Sequence, residues 1–146
     1  MKFQHIEYEI FIKNKHFRIS ISVSRMSTCN SDHIVVSGDK SAALKQLIKN
    51  SGSDPVYVFF FSPTCPHCIT LDNVFQKYRK QCQSQNAKAT LVVVNVKSSP
   101  ELFQEYKVHS FPQVMVYRNK KRVKHIIGAD IHALADAFRL ANIQIK

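Results

Sequence analysis

Tryptophan is missing altogether, and glycine and proline are sparse, with 3 Gly and 5 Pro in 146 residues. Such scarcity excludes collagen-like and low-complexity chains. Long apolar runs are also missing. The longest, Val56-Tyr57-Val58-Phe59-Phe60-Phe61, is far below the ~20 residues of a membrane-spanning helix and has the length of a buried strand. Acidic residues are outnumbered, 10 Asp and Glu against 21 Lys and Arg, for a net charge of +11. That surplus favours acidic partners or surfaces and carries no information about fold. Four cysteines, Cys29, Cys65, Cys68 and Cys82, are too few and too unevenly spaced for a disulfide scaffold. No apolar core of a secretory signal follows Lys2, because Gln4, His5, Glu7 and Glu9 interrupt Phe3 to Ile12. The C-terminal Ile143-Gln144-Ile145-Lys146 carries no known address, so a cytoplasmic location is the expectation.

What is present suits one soluble globular domain: 45% hydrophobic and 21% charged residues, in a chain long enough to fold without staples. Ile6, Tyr8, Ile10 and Ile12 alternate on one face, and Phe17, Ile19, Ile21 and Val23 do so again after the polar Lys13-Asn14-Lys15-His16. A period of two on both sides of a short turn predicts a β-hairpin extension over residues 1–25. A lone hairpin is marginal in water, so either it packs on the domain or a partner, or Met26 is the working start; both readings stay open. Residues 26–32, Met-Ser-Thr-Cys-Asn-Ser-Asp, are small and polar and read as a linker.

From 33 to 146 the pattern switches. Strands are expected at 33–36, 56–61, 91–96, 114–117 and 123–127, the last two joined by the basic turn Asn119-Lys120-Lys121; helices are expected at about 41–50 and 65–83, from a start at Ser98-Ser99-Pro100-Glu101 through Tyr106, and at 133–141 with Asp130 able to cap. Val56 to Phe61 is apolar on both faces, as a central strand covered on each side should be. In the long helix, Leu71, Val74, Phe75, Tyr78 and Cys82 recur at spacings of three and four. The βαβαβαββα order predicts an α/β protein: a mixed central sheet, parallel first and antiparallel at the turn near Asn119, flanked by helices.

Cys65-Pro66-His67-Cys68 stands where the central strand ends and the long helix begins, the end of a strand at which open α/β sheets place their sites. The first helical turn offers unpaired N–H groups and the positive end of the macrodipole, which favour a thiolate over a thiol. Residues three apart share a helix face, so the two sulfurs can close one small disulfide ring. Pro66 suits a first turn because it lacks an N–H that would be unpaired there. His67, as an imidazolium, would further favour the anion. Stabilising the reduced thiolate makes the disulfide a better oxidant, so Pro66 and His67 are read as thiolate-tuning residues pushing the couple toward oxidation.

The run Phe59 to Cys68 resembles the active-site segment of the thioredoxin family. Tyr106-Lys107-Val108-His109-Ser110-Phe111-Pro112-Gln113-Val114 is similar to its cis-proline loop, and Tyr117 to Ala129 with Leu134 to Asn142 to its last hairpin and helix. The resemblance covers His33 to the end and implies a thioredoxin fold and a thiol–disulfide oxidoreductase. Catalysis would run through Cys65 as nucleophile and Cys68 as resolving thiol, with Cys65–Cys68 as the redox disulfide. Pro112 would be cis, and the Phe111 backbone would bind an extended substrate segment. Partners would be proteins bearing disulfides or thiols, plus a redox partner; no metal, flavin or nucleotide cofactor is implied. The sequence departs from the family at Thr64, where a Trp is usual, and at Pro66-His67, which instead resembles bacterial disulfide oxidases, although the helical insertion of those enzymes is missing. The acid that thioredoxins often bury beneath their cysteines is matched by Phe59, and a nearby lysine by Val93.

Blander readings stand beside these. Cys65 and Cys68 could be half of a zinc site, or carry a metal with His67, but no second Cys pair or His-x₃-His completes a set of four ligands. His67 could be a plain exposed helix residue, and Pro112 a strand-edge proline. Cys82 continues the apolar helix face and reads as a buried thiol; Cys29 reads as a surface one. Arg118 to His125 is strongly basic, yet without aromatic platforms it reads as a solvated hairpin tip rather than a nucleic-acid surface. The competing function class is a binding module whose basic face and N-terminal hairpin dock a partner, with the cysteines incidental.

Overall fold

A computed structural model describes residues 3–12, 15–24, 33–36, 40–97 and 99–145, the first three stretches as backbone only. The elements run β1 (Phe3–Ile12), β2 (Lys15–Ser24), β3 (His33–Val36), α1 (Lys40–Asn50), β4 (Val56–Phe61), α2 (Pro66–Ser84), β5 (Thr90–Asn95), α3 (Pro100–Glu105), β6 (Gln113–Arg118), β7 (Lys121–Ile127) and α4 (Ile131–Phe138). They form a seven-stranded sheet in the order β1-β2-β3-β5-β4-β6-β7. Strand β4 lies parallel to β5, with Val58 opposite Val92, and antiparallel to β6, with Val58 opposite Met115. From β3 onward this is the βαβαβαββα order and mixed pairing that the sequence pattern predicts. The antiparallel β1–β2 pair joins the sheet where β2 meets β3, Ile21 opposite Val36. The linker expected at 26–32, Cys29 included, lies outside the described residues.

Alternation along β4 feeds two cores. Tyr57 and Phe59 face a cluster with Leu71, Phe75, Cys82, Leu134 and Phe138 from α2 and α4. Val56, Val58 and Phe60 face the opposite cluster with Leu44 of α1 and Leu102 and Phe103 of α3. Burial on both faces is why β4 could be apolar throughout. Phe138 stacks on Tyr57 at 4.5 Å, and the Tyr57 hydroxyl donates to the Ala137 carbonyl at 2.7 Å, so the buried phenol is satisfied.

Boundaries shift for identifiable reasons. Helix α4 begins at Ile131, two residues before the expected 133, because Asp130, the cap candidate, accepts from Ala133 N–H at 2.9 Å. Its expected last turn is a separate 3₁₀ turn, Arg139–Ala141, ending at Asn142 with φ 59°. The β6–β7 connection is the two residues Asn119 and Lys120, with φ 52° and 66°, the backbone that a tight primed hairpin turn demands. Lys121, expected in the turn, is already strand.

Candidate active site

Helix α2 starts at Pro66, and Cys65 is its N-cap rather than its first residue. Beyond β4 the chain turns through Ser62, whose carbonyl accepts from Cys65 N–H at 3.2 Å. Cys65 is extended, φ −92° and ψ 114°, a conformation that turns a capping side chain back over the helix opening. Its Sγ accepts from the Cys68 backbone N–H at 3.2 Å. A sulfur therefore occupies the place a serine or aspartate oxygen usually takes, and the helix amide is aimed at it.

The two sulfurs are not equivalent. Cys65 is partly exposed and Cys68 is 1% exposed, and both are free thiols. Burial, and next the hydrogen bond to the Cys65 side chain, push the Cys68 thiol up to about 11. Phe59 and Val93, the residues that match the family's buried acid and lysine, are opposite one another in register, with Phe59 stacked on Phe75 at 5.2 Å. None of the interactions acting on Cys68 comes from a carboxylate. The inner thiol thus holds its proton and the outer sulfur faces the amide.

A second group of residues meets this end of the sheet. The Phe111–Pro112 peptide bond is cis. Register pairs Phe60 with Gln113, so Pro112 lies just past the paired end of β4, on the side from which the chain leads to Cys65. Gly128, at φ 83°, donates its N–H to the Pro112 carbonyl at 2.8 Å. Phe111 is 36% exposed and set edge-on against Phe103 at 5.2 Å. Ile127, opposite Gln113 in the β6–β7 register, is 63% exposed.

The sequence-predicted residues therefore divide into two places. Cys65, Pro66, His67 and Cys68 open α2, while Phe111 and Pro112 precede β6; both places belong to the same end of the β4–β6 pair. His67 is exposed, and its imidazole makes no hydrogen bond among the described residues. Cys82 is fully buried in the α2–α4 core, as its place on the apolar face predicts. Among the described residues no cluster of three His, Cys, Asp or Glu side chains could hold a metal ion, and no helix is long and apolar enough to cross a membrane. Sequence reasoning passed over Gln113 and His125. The available signal was a glutamine at the head of the otherwise apolar strand Val114-Met115-Val116, a buried amide that must find partners.

Comparison with known proteins follows the same boundaries. The thioredoxin family model matches residues 35–139. Thioredoxin of Griffithsia pacifica is 33% identical over 79 residues, 51% of this chain and 66% of the relative. Thioredoxin of Pyropia yezoensis is 30% identical over 94 residues, 64% of this chain and 84% of the relative. Among solved structures, thioredoxin from Trypanosoma brucei brucei superposes with a TM-score of 0.63 at 18% identity, covering 79% of this chain and 95% of that one. Fasciola hepatica thioredoxin does so with a TM-score of 0.60 at 21% identity, over 67% and 90%. At such identities the structural likeness speaks for fold.

Proposed function

This chain belongs to the thioredoxin family of thiol–disulfide oxidoreductases, and from that premise we propose that Cys65 and Cys68 are its redox pair, acting on disulfides of protein substrates. The Cys65 thiolate attacks one sulfur of the substrate disulfide, the S–S bond breaks, and the substrate's second sulfur leaves as a thiolate that takes up a proton. Cys68 then gives up its proton and attacks Cys65 Sγ. The Cys65–Cys68 disulfide forms, the substrate departs with both its thiols, and two electrons have passed to it. Run backward, the same steps oxidise a dithiol. A dithiol or disulfide partner restores the starting state. Phe111 and Pro112 offer the substrate segment its backbone contact, because the Phe111 peptide makes no backbone hydrogen bond of its own among the described residues. Pro66 keeps the first turn free of a competing N–H, and His67, exposed on that turn, is the second tuning residue.

One observation carries the reading: the Cys68 N–H donating to Cys65 Sγ at 3.2 Å where α2 opens, which aims a helix amide at the outer sulfur of the pair. The test pairs two variants. Cys65→Ser is expected to abolish dithiothreitol-driven reduction of insulin, while Cys68→Ser accumulates a mixed disulfide with insulin that dithiothreitol releases. Titrated against glutathione, the wild-type pair should be more oxidising than ordinary thioredoxins, whose potential is about −270 mV. An active Cys65→Ser protein would refute the assignment.

A further inference from the structure

Gln113 follows Pro112 directly and is 4% exposed. A primary amide taken out of water costs free energy unless its oxygen and both N–H groups find partners. All three do. Nε2 donates to the Ser110 carbonyl at 3.1 Å and reaches Ser110 Oγ at 3.2 Å, while Oε1 lies 2.7 Å from His125 Nε2. The Ser110 carbonyl can only accept, so the amide nitrogen must face it and the amide oxygen must face His125. That oxygen can only accept, so His125 carries a proton on Nε2. Strand register brings the histidine there: His125 lies on β7 opposite Met115, the same sheet face as Gln113.

Ser110 and Pro112 flank Phe111. Gln113 holds the Ser110 carbonyl on one side, and Gly128 N–H holds the Pro112 carbonyl on the other at 2.8 Å. Phe111 between them is left with its peptide groups unpaired among the described residues, presented on a segment pinned at both ends. We propose that Gln113, oriented by His125, is a positioning residue for disulfide substrates: it preorganises the Ser110–Phe111–Pro112 segment on which an extended substrate chain docks. The inference rests on the reading of Phe111 and Pro112 as the substrate contact. Fixing that segment beforehand spares the ordering cost at docking, so losing the clamp weakens binding of a protein disulfide and leaves the sulfur chemistry alone.

The test separates binding from chemistry. Gln113→Met keeps length and burial but has nothing to donate to Ser110. Its KM for insulin in the dithiothreitol-driven assay should rise by about tenfold, with kcat and the iodoacetamide alkylation rate of Cys65 unchanged. His125→Leu, which leaves Oε1 without its donor, should raise KM in the same direction; His125→Gln, which restores an amide donor, should bring it back. Wild-type KM in a folded Gln113→Met or His125→Leu protein overturns the inference, as does a fall in alkylation rate that tracks the change in KM. Should Gln113→Met not fold, the His125→Leu and His125→Gln pair decides by the same criterion. A wild-type chain unable to reduce insulin overturns the parent reading and this one with it.

Discussion

Two thiols one turn apart receive opposite tasks from their surroundings. Cys65 caps a helix, partly exposed, with an amide aimed at its sulfur; Cys68 is almost wholly buried. Burial first, then the bond to Cys65, raise the inner thiol from its ordinary 9.0 to about 11. A raised thiol pKa means that the folded chain holds a proton the unfolded chain would release. The stabilisation is therefore complete below the ordinary value and is lost as pH rises through about 11. The same sign governs reactivity. Of the pair, a brief iodoacetamide pulse at about pH 8 should label Cys65 and spare Cys68, which should become reactive only as pH approaches its raised value, read by peptide mass spectrometry. Equal labelling of both at about pH 8 would mean that the burial argument is wrong.

At the scale of elements, the opening of α2 serves structure and chemistry with one atom, and substitutions can pull the two apart. Serine is among the best N-cap residues, so Cys65→Ser should keep stability near wild type while losing the chemistry. Cys65→Ala removes both and should cost about 1 kcal/mol, a fall in Tm of roughly 2–4 °C for a domain of this size. Asp130→Ala, at the cap of α4, supplies the control: a similar loss by thermal unfolding, with Cys65 alkylation unchanged. Much of this was legible locally. Cys65-Pro66 after an apolar strand announced a helix start, and the spacing of Leu71, Phe75, Tyr78 and Cys82 announced its buried face. The start of α4 was partly legible: Asp130 was a cap candidate and Ile131 shares the helical spacing of Leu134 and Phe138, but its 40% exposure sets it at the rim of the buried face. The Gln113–His125 contact was hidden. Its partners are twelve residues apart and meet only through the register of β6 and β7, which no local pattern encodes.

Across the whole molecule, the question is what guards the sheet's two edges. At one edge β7 exposes Lys121, Arg122 and Lys124, charges that discourage a further strand from pairing there. This gives the basic hairpin a physical role without a nucleic-acid partner. At the other, β1 and β2 stand outside β3, and β3 is only His33–Val36, held to β5 by a three-residue register. We treat residues 1–25 as an extension of a domain spanning 33–146. Removing them would leave the short β3 as the edge, so stability should fall. The site should survive, because β5 separates β3 from β4 and the strand leading to Cys65 keeps both of its neighbours, β5 and β6. A chain lacking 1–25 should therefore show a lower urea midpoint with insulin reduction at close to the wild-type rate. A truncated chain that stays folded but loses that activity would show the hairpin to be part of the catalytic apparatus rather than a guard on the sheet.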